Sequence, residues 1–359
     1  MFERPIQSLC MPILTHPQLN TLAIRILEGA GVSSADAAIV GHELADANLV
    51  GHDSHGVMRL VQYVQMIQDG HVKLGAPLAI LREAPGYALL DGGFNFGQVV
   101  MSQALDLAIA KGRETGTSTV LVRNCNHVGR LGAYTERAAK AGFLATMCVN
   151  APGPGGVAPF GGIDRRLGTN PISMSAPMGE SAMVLDMTTS ATAEGKLRVS
   201  HQKGEQVPEG LIIDSEGRSS TDPGVFYNAP IGSILPLGGS MMGHKGFGLA
   251  VMIDVFCGIL SGSGIGRADL PRGANGVWIS LMSVEHFLPR EEYDAWMAQY
   301  ATHIKSSRTA PGVTEILLPG EIEARRATQR AAEGVSIPDE TWRQINELAG
   351  KLKVSLSGL

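Results

Sequence analysis

The 359-residue sequence has little of several things that would have settled its class at once. It holds four cysteines, Cys10, Cys125, Cys148 and Cys257, and no C-x-x-C pair. Their scatter argues against a disulfide framework or a zinc knuckle and for reduced thiols. No basic segment leads into a continuous apolar one at the N-terminus, so no signal peptide is expected. The longest apolar run, Phe247 to Leu260, is broken by Asp254 and is read as too short to span a bilayer. A soluble cytoplasmic protein is therefore expected. Basic blocks are also missing: 29 Lys and Arg stand against 34 Asp and Glu, for a net charge of −5. That balance argues against nucleic acid or an anionic membrane as partner. There is no Walker A loop, G-x-S-x-G elbow, H-E-x-x-H helix, EF-hand loop or long-period repeat. Nor does the chain open on a strand and glycine loop, where a Rossmann unit would commonly sit. Gly262-Ser263-Gly264-Ile265-Gly266 resembles a dinucleotide fingerprint, but Arg267 stands at the third glycine position and Pro271 follows. It reads as a loop.

What is present is a folded, glycine-rich chain. Hydrophobic residues make up 44% and charged residues 18%, and the 45 glycines cluster in loops, where backbone can approach a ligand closely. The densest chemistry lies in Gly51-His52-Asp53-Ser54-His55-Gly56-Val57-Met58-Arg59-Leu60. Ser54 is a candidate N-cap for a helix over about His55 to Gln68. On that helix His55, Arg59 and Tyr63 would share one face at i, i+4 and i+8. Val57, Leu60, Val61, Val64 and Ile67 would lie mostly opposite, toward a core. The histidine can exchange a proton, the arginine can grip a carboxylate by two bonds, and the tyrosine adds a hydroxyl. A capped, solvated helix face would show the same spacing.

Before this stretch, Leu19, Leu22, Ala23, Ile26 and Leu27 mark one helix, and Ser33 or Ser34 can cap a second reaching about Val50. After it, strand-like segments (Tyr87–Leu90, Thr119–Val122, Leu144–Val149) alternate with helical ones (Val99–Lys111, Ala133–Lys140), which makes the chain α/β or mixed α+β. His127 lies between a strand end and a helix start, among glycines whose neighbours' N–H groups can reach a phosphate. Ala151–Pro171 is a long Gly- and Pro-rich loop, too patterned for a tether. Strands are expected over Ile172–Ala176, Met183–Leu185, Leu211–Asp214 and Val277–Val284. Asp186 sits at a strand end before the hydroxyls Thr188, Thr189 and Ser190. It could bind a sugar hydroxyl or cap a helix near Ala191–Val199. Lys245 falls at the expected start of an apolar helix over Phe247–Leu260, where a cation opposes the macrodipole. A ligand-facing role would account for it. Two helices, about Glu321–Ala332 and Pro338–Leu352, close the chain.

Taken together, GHDSHGVMR at 51–59, NHVGRLG at 126–132, VAPFGGIDRRLGTNP at 157–171, LDMTTSATAEGKLR at 185–198, HKGFG at 244–248 and LPGEIE at 318–323 resemble the malate/L-lactate dehydrogenase family that lacks a Rossmann fold. The segments follow the family order over nearly the whole chain and look closest to its broad-specificity hydroxycarboxylate dehydrogenase branch. The resemblance implies a non-Rossmann NAD(P)-binding α/β fold with a helical unit built from both chain ends. It also implies a homodimer. The units expected are 1–75 with 320–359 (helical), 76–125 with 230–319 (mixed sheet) and 126–229 (cofactor-binding). The implied reaction moves a hydride between the nicotinamide of NAD or NADP and a 2-oxo/2-hydroxy acid pair.

Matched position by position, His55 would be the acid/base group and Ser54 its relay, with His127 a second proton carrier. Arg59 would hold the substrate carboxylate, flanked by Tyr63 and Thr169. Cofactor contacts would come from Arg130, Leu131, Gly132, Leu185, Asp186, Met187, Thr188, Thr189, Lys245, Asn275, Gly320, Glu321, Ile322 and Glu323. The residue types suit the chemistry, since reducing a ketone needs a proton at oxygen and a donor where negative charge develops. One segment departs from the pattern: Ala151-Pro152-Gly153-Pro154-Gly155-Gly156 stands where several relatives are more polar.

Two other readings use the same residues. A cyclic-imine-2-carboxylate (piperideine or pyrroline) reductase would employ the same Arg59 and histidines. A metal-dependent hydrolase would instead take His52, Asp53 and His55 as ligands, but no third segment with ligand spacing accompanies them. The resemblance implies no metal.

Overall fold

The computed structural model describes residues 11–267 and 275–359; Cys10 and Pro271 lie outside them. In chain order the elements begin with β1 (Ile13–Leu14), α1 (His16–Gly29), α2 (Ser34–Leu49), a single 3-10 turn at Asp53–His55, and α3 (Arg59–Gln68). There follow β2 (Ala79–Ala84), β3 (Tyr87–Asp91), α4 (Gly97–Thr115), β4 (Thr117–Cys125), α5 (Leu131–Lys140) and β5 (Phe143–Asn150). Next come β6 (Ile172–Met178), β7 (Ser181–Met187), α6 (Glu194–Lys203), β8 (Ile212–Ile213), β9 (Ser219–Ser220), α7 (Gly224–Tyr227) and β10 (Ser233–Ile234). The last part holds α8 (Gly239–Ile253) with a π-helical extension over Asp254–Ile259, β11 (Asn275–Ser283), α9 (Arg290–Lys305), α10 (Glu321–Glu333), β12 (Val335–Ser336) and α11 (Asp339–Leu352).

The chain parts into two compact units, one running to Gly75 and resuming over Ile322–Leu359, the other Ala76–Glu321. The first is helical. Thr15 and Gln18 close a reciprocal capping box at the start of α1, and the Ser33 hydroxyl accepts the Asp36 N–H at 3.2 Å at the start of α2. Leu19, Leu22, Ile26 and Leu27 of α1 and Val40 and Leu44 of α2 are fully buried, as their helical spacing predicts. The two ends of the chain meet where β1 pairs antiparallel with β12, Leu14 opposite Val335.

In the second unit a seven-stranded sheet runs β2-β3-β4-β11-β5-β6-β7. Only β3 and β4 are parallel; every other neighbouring pair is antiparallel. A doubly wound dinucleotide fold is built on parallel strands, so this mixed sheet is another architecture. Side chains alternate across β11 as the pleat requires. Val277, Ile279 and Leu281 enter one core with α4 and α5, whereas Trp278 faces Cys148, Ile253 and Cys257 on the other side, where the π-helical segment packs. A small sheet, β10-β8-β9, lies by a separate apolar cluster containing Val157, Leu167, Ile212 and Ile234. β-pairing thus crosses the boundaries drawn from the sequence at 125/126 and 229/230: β4, β5 and β11 are neighbours in one sheet.

The Ala151–Pro171 loop is tied down. Val157 bridges both Leu167 and Ile234, and the Arg165 guanidinium lies 3.9 Å above the Phe226 ring centroid. The loop at Gly262–Gly266 follows the π-helical segment and precedes no described helix, in keeping with its reading as a decoy.

Three local expectations are corrected. The helix expected from His55 begins at Arg59, after an irregular turn, and Ser54 caps no helix. The apolar helix expected from Phe247 begins at Gly239, so Lys245 lies in its second turn and the argument from a helix start lapses. That earlier start also lengthens the apolar segment. Gly239–Ile259 makes 21 helical residues, long and apolar enough by length and composition to cross a membrane. Its Ala250, Ile253 and Cys257 are nonetheless buried inside this protein.

Candidate active site

In the helical unit the polar group is assembled around one buried amide. Asn48, near the end of α2, is 3% exposed. Its Nδ2 donates to Asp53 Oδ1 at 2.7 Å, and its Oδ1 accepts the Val57 N–H at 2.8 Å. Asn48 thus satisfies the Val57 N–H from beneath, while the His55 and Gly56 N–H groups donate to the His52 and Asp53 carbonyls within the turn. Gly56 is required at this spot, because a Cβ there would come within 2.1 Å of Asn48 Oδ1. On the outer side Arg330 of α10 donates from Nη1 and Nη2 to the two Asp53 oxygens, at 2.7 and 3.0 Å.

Ser54 is thereby held in place, and it touches two of the expected site residues. Its hydroxyl stands 3.1 Å from His55 Nδ1, and its carbonyl accepts from Arg59 Nε at 2.6 Å. Arg59 Nη1 donates to Gln62 Oε1 at 2.6 Å. Tyr63 is different. At 1% exposed it belongs to the core with Leu60 and Val64, not to a solvent-facing wall. His52, Asp53 and His55 form no ligand cluster, since each has its own partner: Glu323 at 3.5 Å from His52 Nε2, Arg330 on Asp53, and Ser54 beside His55.

In the sheet unit a second polar group gathers where β7 ends and α5 begins. Asp186 Oδ2 accepts the Gly132 N–H at 2.7 Å, so the acid caps the first turn of α5, not the helix that follows it in sequence. A Cβ on Gly132 would sit 2.7 Å from Arg130 Nη1 and 2.9 Å from Asp186 Oδ2, so a larger residue there would push both side-chain ends aside. Arg130 is 7% exposed, and its Nη2 makes one long contact, 3.4 Å, with Glu136. Burial alone would raise the Glu136 pKa, but Lys140 and Arg130 outweigh it and hold the carboxyl below its ordinary range. Arg130 Nε is buried and has no hydrogen-bond partner among the described residues. A buried guanidinium donor left unpaired is costly, and an anionic ligand would relieve that cost.

Thr189, buried behind β7, donates from its N–H and hydroxyl to the Thr169 carbonyl at 3.0 and 3.2 Å. This ties the Gly168–Asn170 turn to the Leu185–Thr189 stretch. Leu185 is exposed, Met187 half-buried, and the Thr188 hydroxyl donates to the Ser190 carbonyl at 3.2 Å. Gly320 at φ +92 lies against Val184, whose N–H donates to the Pro319 carbonyl at 3.1 Å, so the 318–321 turn docks on the same strand. Glu321 folds back to accept the Leu318 N–H at 2.9 Å and pairs with Lys305, while Ile322 is exposed. Leu131 is buried at the head of α5 and His127 is half-buried on the loop before it.

Two further expected cofactor residues are Lys245 and Asn275. Lys245 is exposed on α8 and has no ionic partner among the described residues. Asn275 is buried at the head of β11, with Nδ2 donating to the Asn150 carbonyl at 2.9 Å. Its present bond is structural. Asn48 and Arg330 were not singled out in the sequence. Asn48 carried a faint signal, a polar residue on the apolar face of α2; Arg330, 277 residues from Asp53, carried none.

The sheet unit thus joins a non-Rossmann mixed sheet to a buried guanidinium beside a capped helix start, and the helical unit carries a His–Ser–Arg turn. The chain belongs to the malate/L-lactate dehydrogenase family, whose model matches residues 14–346. A malate dehydrogenase of Pyrococcus horikoshii is 39% identical over 344 residues, covering 94% of each chain. Hydroxycarboxylate dehydrogenase B of Escherichia coli K12 is 32% identical over 339 residues, 93% of this chain and 92% of that one. Among solved structures, that of malate dehydrogenase from Pyrococcus horikoshii OT3 superposes with a TM-score of 0.87 at 34% identity, covering 99% of both. Family membership makes this chain a dehydrogenase and implies a nicotinamide cofactor.

Proposed function

We propose that the protein is an NAD(P)-dependent 2-hydroxycarboxylate dehydrogenase acting on a 2-oxo/2-hydroxy acid pair. The observation that carries this reading is the joint hold of Ser54 on an imidazole and a guanidinium, through its hydroxyl and its carbonyl. A proton carrier and a carboxylate clamp are what a 2-hydroxy acid requires. The nicotinamide, when bound, supplies or accepts the hydride. His55 delivers or takes the proton at the substrate oxygen, with Ser54 fixing its ring orientation and tautomer. Arg59 exchanges its bond to Gln62 for the substrate carboxylate and holds the acid in a reactive pose. His127 is the alternative proton carrier. Arg130 fits a cofactor phosphate through its unpaired Nε, and Gly132, Asp186, Thr188 and Thr189 border the same strand end.

The test is loss of NADH or NADPH absorbance with a panel of 2-oxo acids and cyclic-imine carboxylates. Turnover confined to 2-oxo acids supports the proposal. Turnover confined to the imines would make the protein a reductase of C=N bonds, and silence across the panel with both cofactors would overturn both readings.

The reading includes a homodimer. α8 and its extension bury one face and leave Met241 85%, Ile259 61% and Leu260 59% exposed, an apolar surface of the kind that a second copy covers. Light scattering should give twice the monomer mass, reduced to the monomer value by Ile259→Asp.

A further inference from the structure

We propose that His16, His42 and Asp46 form a binding site for a divalent cation of the zinc type, clipping α1 to α2. The three side chains come from two helices. His16 is the first residue of α1, immediately after the N-cap Thr15, and His42 and Asp46 lie one turn apart on α2. Asp46 stands between the two rings: Oδ1 is 2.6 Å from His16 Nε2, and Oδ2 is 3.4 Å from His42 Nε2. One ligand atom from each residue lies within 4.8 Å of the others. Zinc bonds of about 2.0–2.2 Å in a tetrahedron set ligand atoms roughly 3.4 Å apart, so rotamer adjustment alone closes the set. The rings meet edge to face, 6.3 Å between centroids.

The backbone needs no rearrangement. α1 is fixed at its N-terminus by Thr15 and Gln18, and the apolar core between α1 and α2 sets their separation. Much of the cost of gathering ligands is therefore met before the ion arrives. Two imidazoles and one carboxylate prefer zinc, copper, nickel or cobalt over magnesium or calcium, which favour all-oxygen sets. Three protein ligands leave a fourth position for water. His16 and Asp46 are part-buried and His42 is 57% exposed, so the ion can enter from solvent. None of the three residues belongs to the Ser54–Arg59 group. A cation bound only to the folded state raises its stability by mass action.

The competing reading is an ion pair between a protonated His16 and Asp46, a plain helix-to-helix pin. Metal-free full-length protein titrated with Zn²⁺ against a chromophoric chelator separates the two. The wild type should take up one equivalent that His42→Ala and Asp46→Asn lose or bind at least ~10-fold more weakly, the scale of effect typical of a perturbed metal site. Zinc should raise the melting temperature of the wild type and not that of His42→Ala, and magnesium should move neither. His42 is exposed, so its replacement leaves the fold intact, which unchanged metal-free activity would verify. Equal zinc stoichiometry and affinity in wild type and His42→Ala would overturn the proposal, as would no zinc uptake by the wild type at micromolar concentrations.

Discussion

The two polar groups are built on opposite plans. The Ser54–Arg59 group rests on irregular backbone: a 3-10 turn, Gly56, and the first residue of a helix that lacks a side-chain cap. Its order comes from below, through the single amide of Asn48, and from the side, through Arg330. The Gly132–Asp186 group rests on regular structure, with the acid on β7 and its target N–H in the first turn of α5. Here the sheet register does the positioning, and the side chains add one short bond. Proton carriers and substrate clamps that must exchange partners suit the first plan. A cradle for the rigid, polyanionic part of a cofactor suits the second.

If the division of labour is right, it breaks most sharply at Arg59. Arg59→Ala should lower kcat/KM for a 2-oxo acid by on the order of 10² or more, about 3 kcal/mol, the scale for losing a bidentate clamp that orients the reacting carbon. The dissociation constant of the nicotinamide cofactor, read by fluorescence titration, should stay within about two-fold. A variant that lost both equally would mean that Arg59 serves the cofactor.

Asn48 tests the other half of the first plan. Asn48→Ala strips the Val57 N–H and Asp53 of a buried partner, and leaving such groups unsatisfied costs about 1–3 kcal/mol. Urea unfolding should show that loss, and kcat should fall with it because the turn carrying Ser54 and His55 loosens. A full loss of stability with unchanged kcat would show that the turn holds its shape without its anchor.

How far these plans could be read in the sequence depended on how local each was. α1 was legible in its apolar spacing and α2 in both its ends, with Ser33 one of two cap candidates, because these signals lie within a few residues of one another. α9 was missed although Tyr293, Met297, Ala301 and Ile304 recur at helical spacing and Pro289, Glu291 and Glu292 mark its start; none of its residues is fully buried. β2 was silent as an exposed edge strand. The spacing of His55, Arg59 and Tyr63 imitated a helix face, yet Gly56 and Asn48 hold His55 outside the helix, and Tyr63 turned into the core. That outcome depends on an amide nine positions upstream of Val57. For Asp186, capping was foreseen, but of the wrong helix: its partner lies 54 residues earlier, brought near by sheet order that no local pattern encodes. The residue types of the site were legible throughout; their pairings were tertiary.

On the sheet side the matching test is Asp186→Asn. The neutral amide can still accept the Gly132 N–H but no longer offers a full charge to the start of α5. Cofactor affinity should weaken roughly tenfold, about 1.4 kcal/mol, from poorer order in the Arg130–Gly132 cradle. At saturating cofactor, KM for the acid should change little. A KM that rose while cofactor binding held would move Asp186 from the cofactor to the substrate, and the two groups would no longer divide the labour as described.

The smallest effect should come from Arg330. Its pair with Asp53 has good two-pronged geometry, but Asp53 is about half exposed, at 49%. Water competes for such a pair, salt screens it, and exposed pairs contribute at most about 1 kcal/mol. Arg330→Met keeps an apolar stem of similar length and removes the fork. Stability should fall by less than about 1 kcal/mol, with the difference from wild type shrinking as salt is raised. Because Asn48 still grips Asp53 and Val57 from within, kcat should drop no more than about two- or threefold. A larger, salt-insensitive loss would show that the outer ion pair, not the buried amide, fixes the turn. The contrast between a group anchored from beneath and one anchored by sheet register would then have to be redrawn as one between a surface-braced group and one anchored by sheet register.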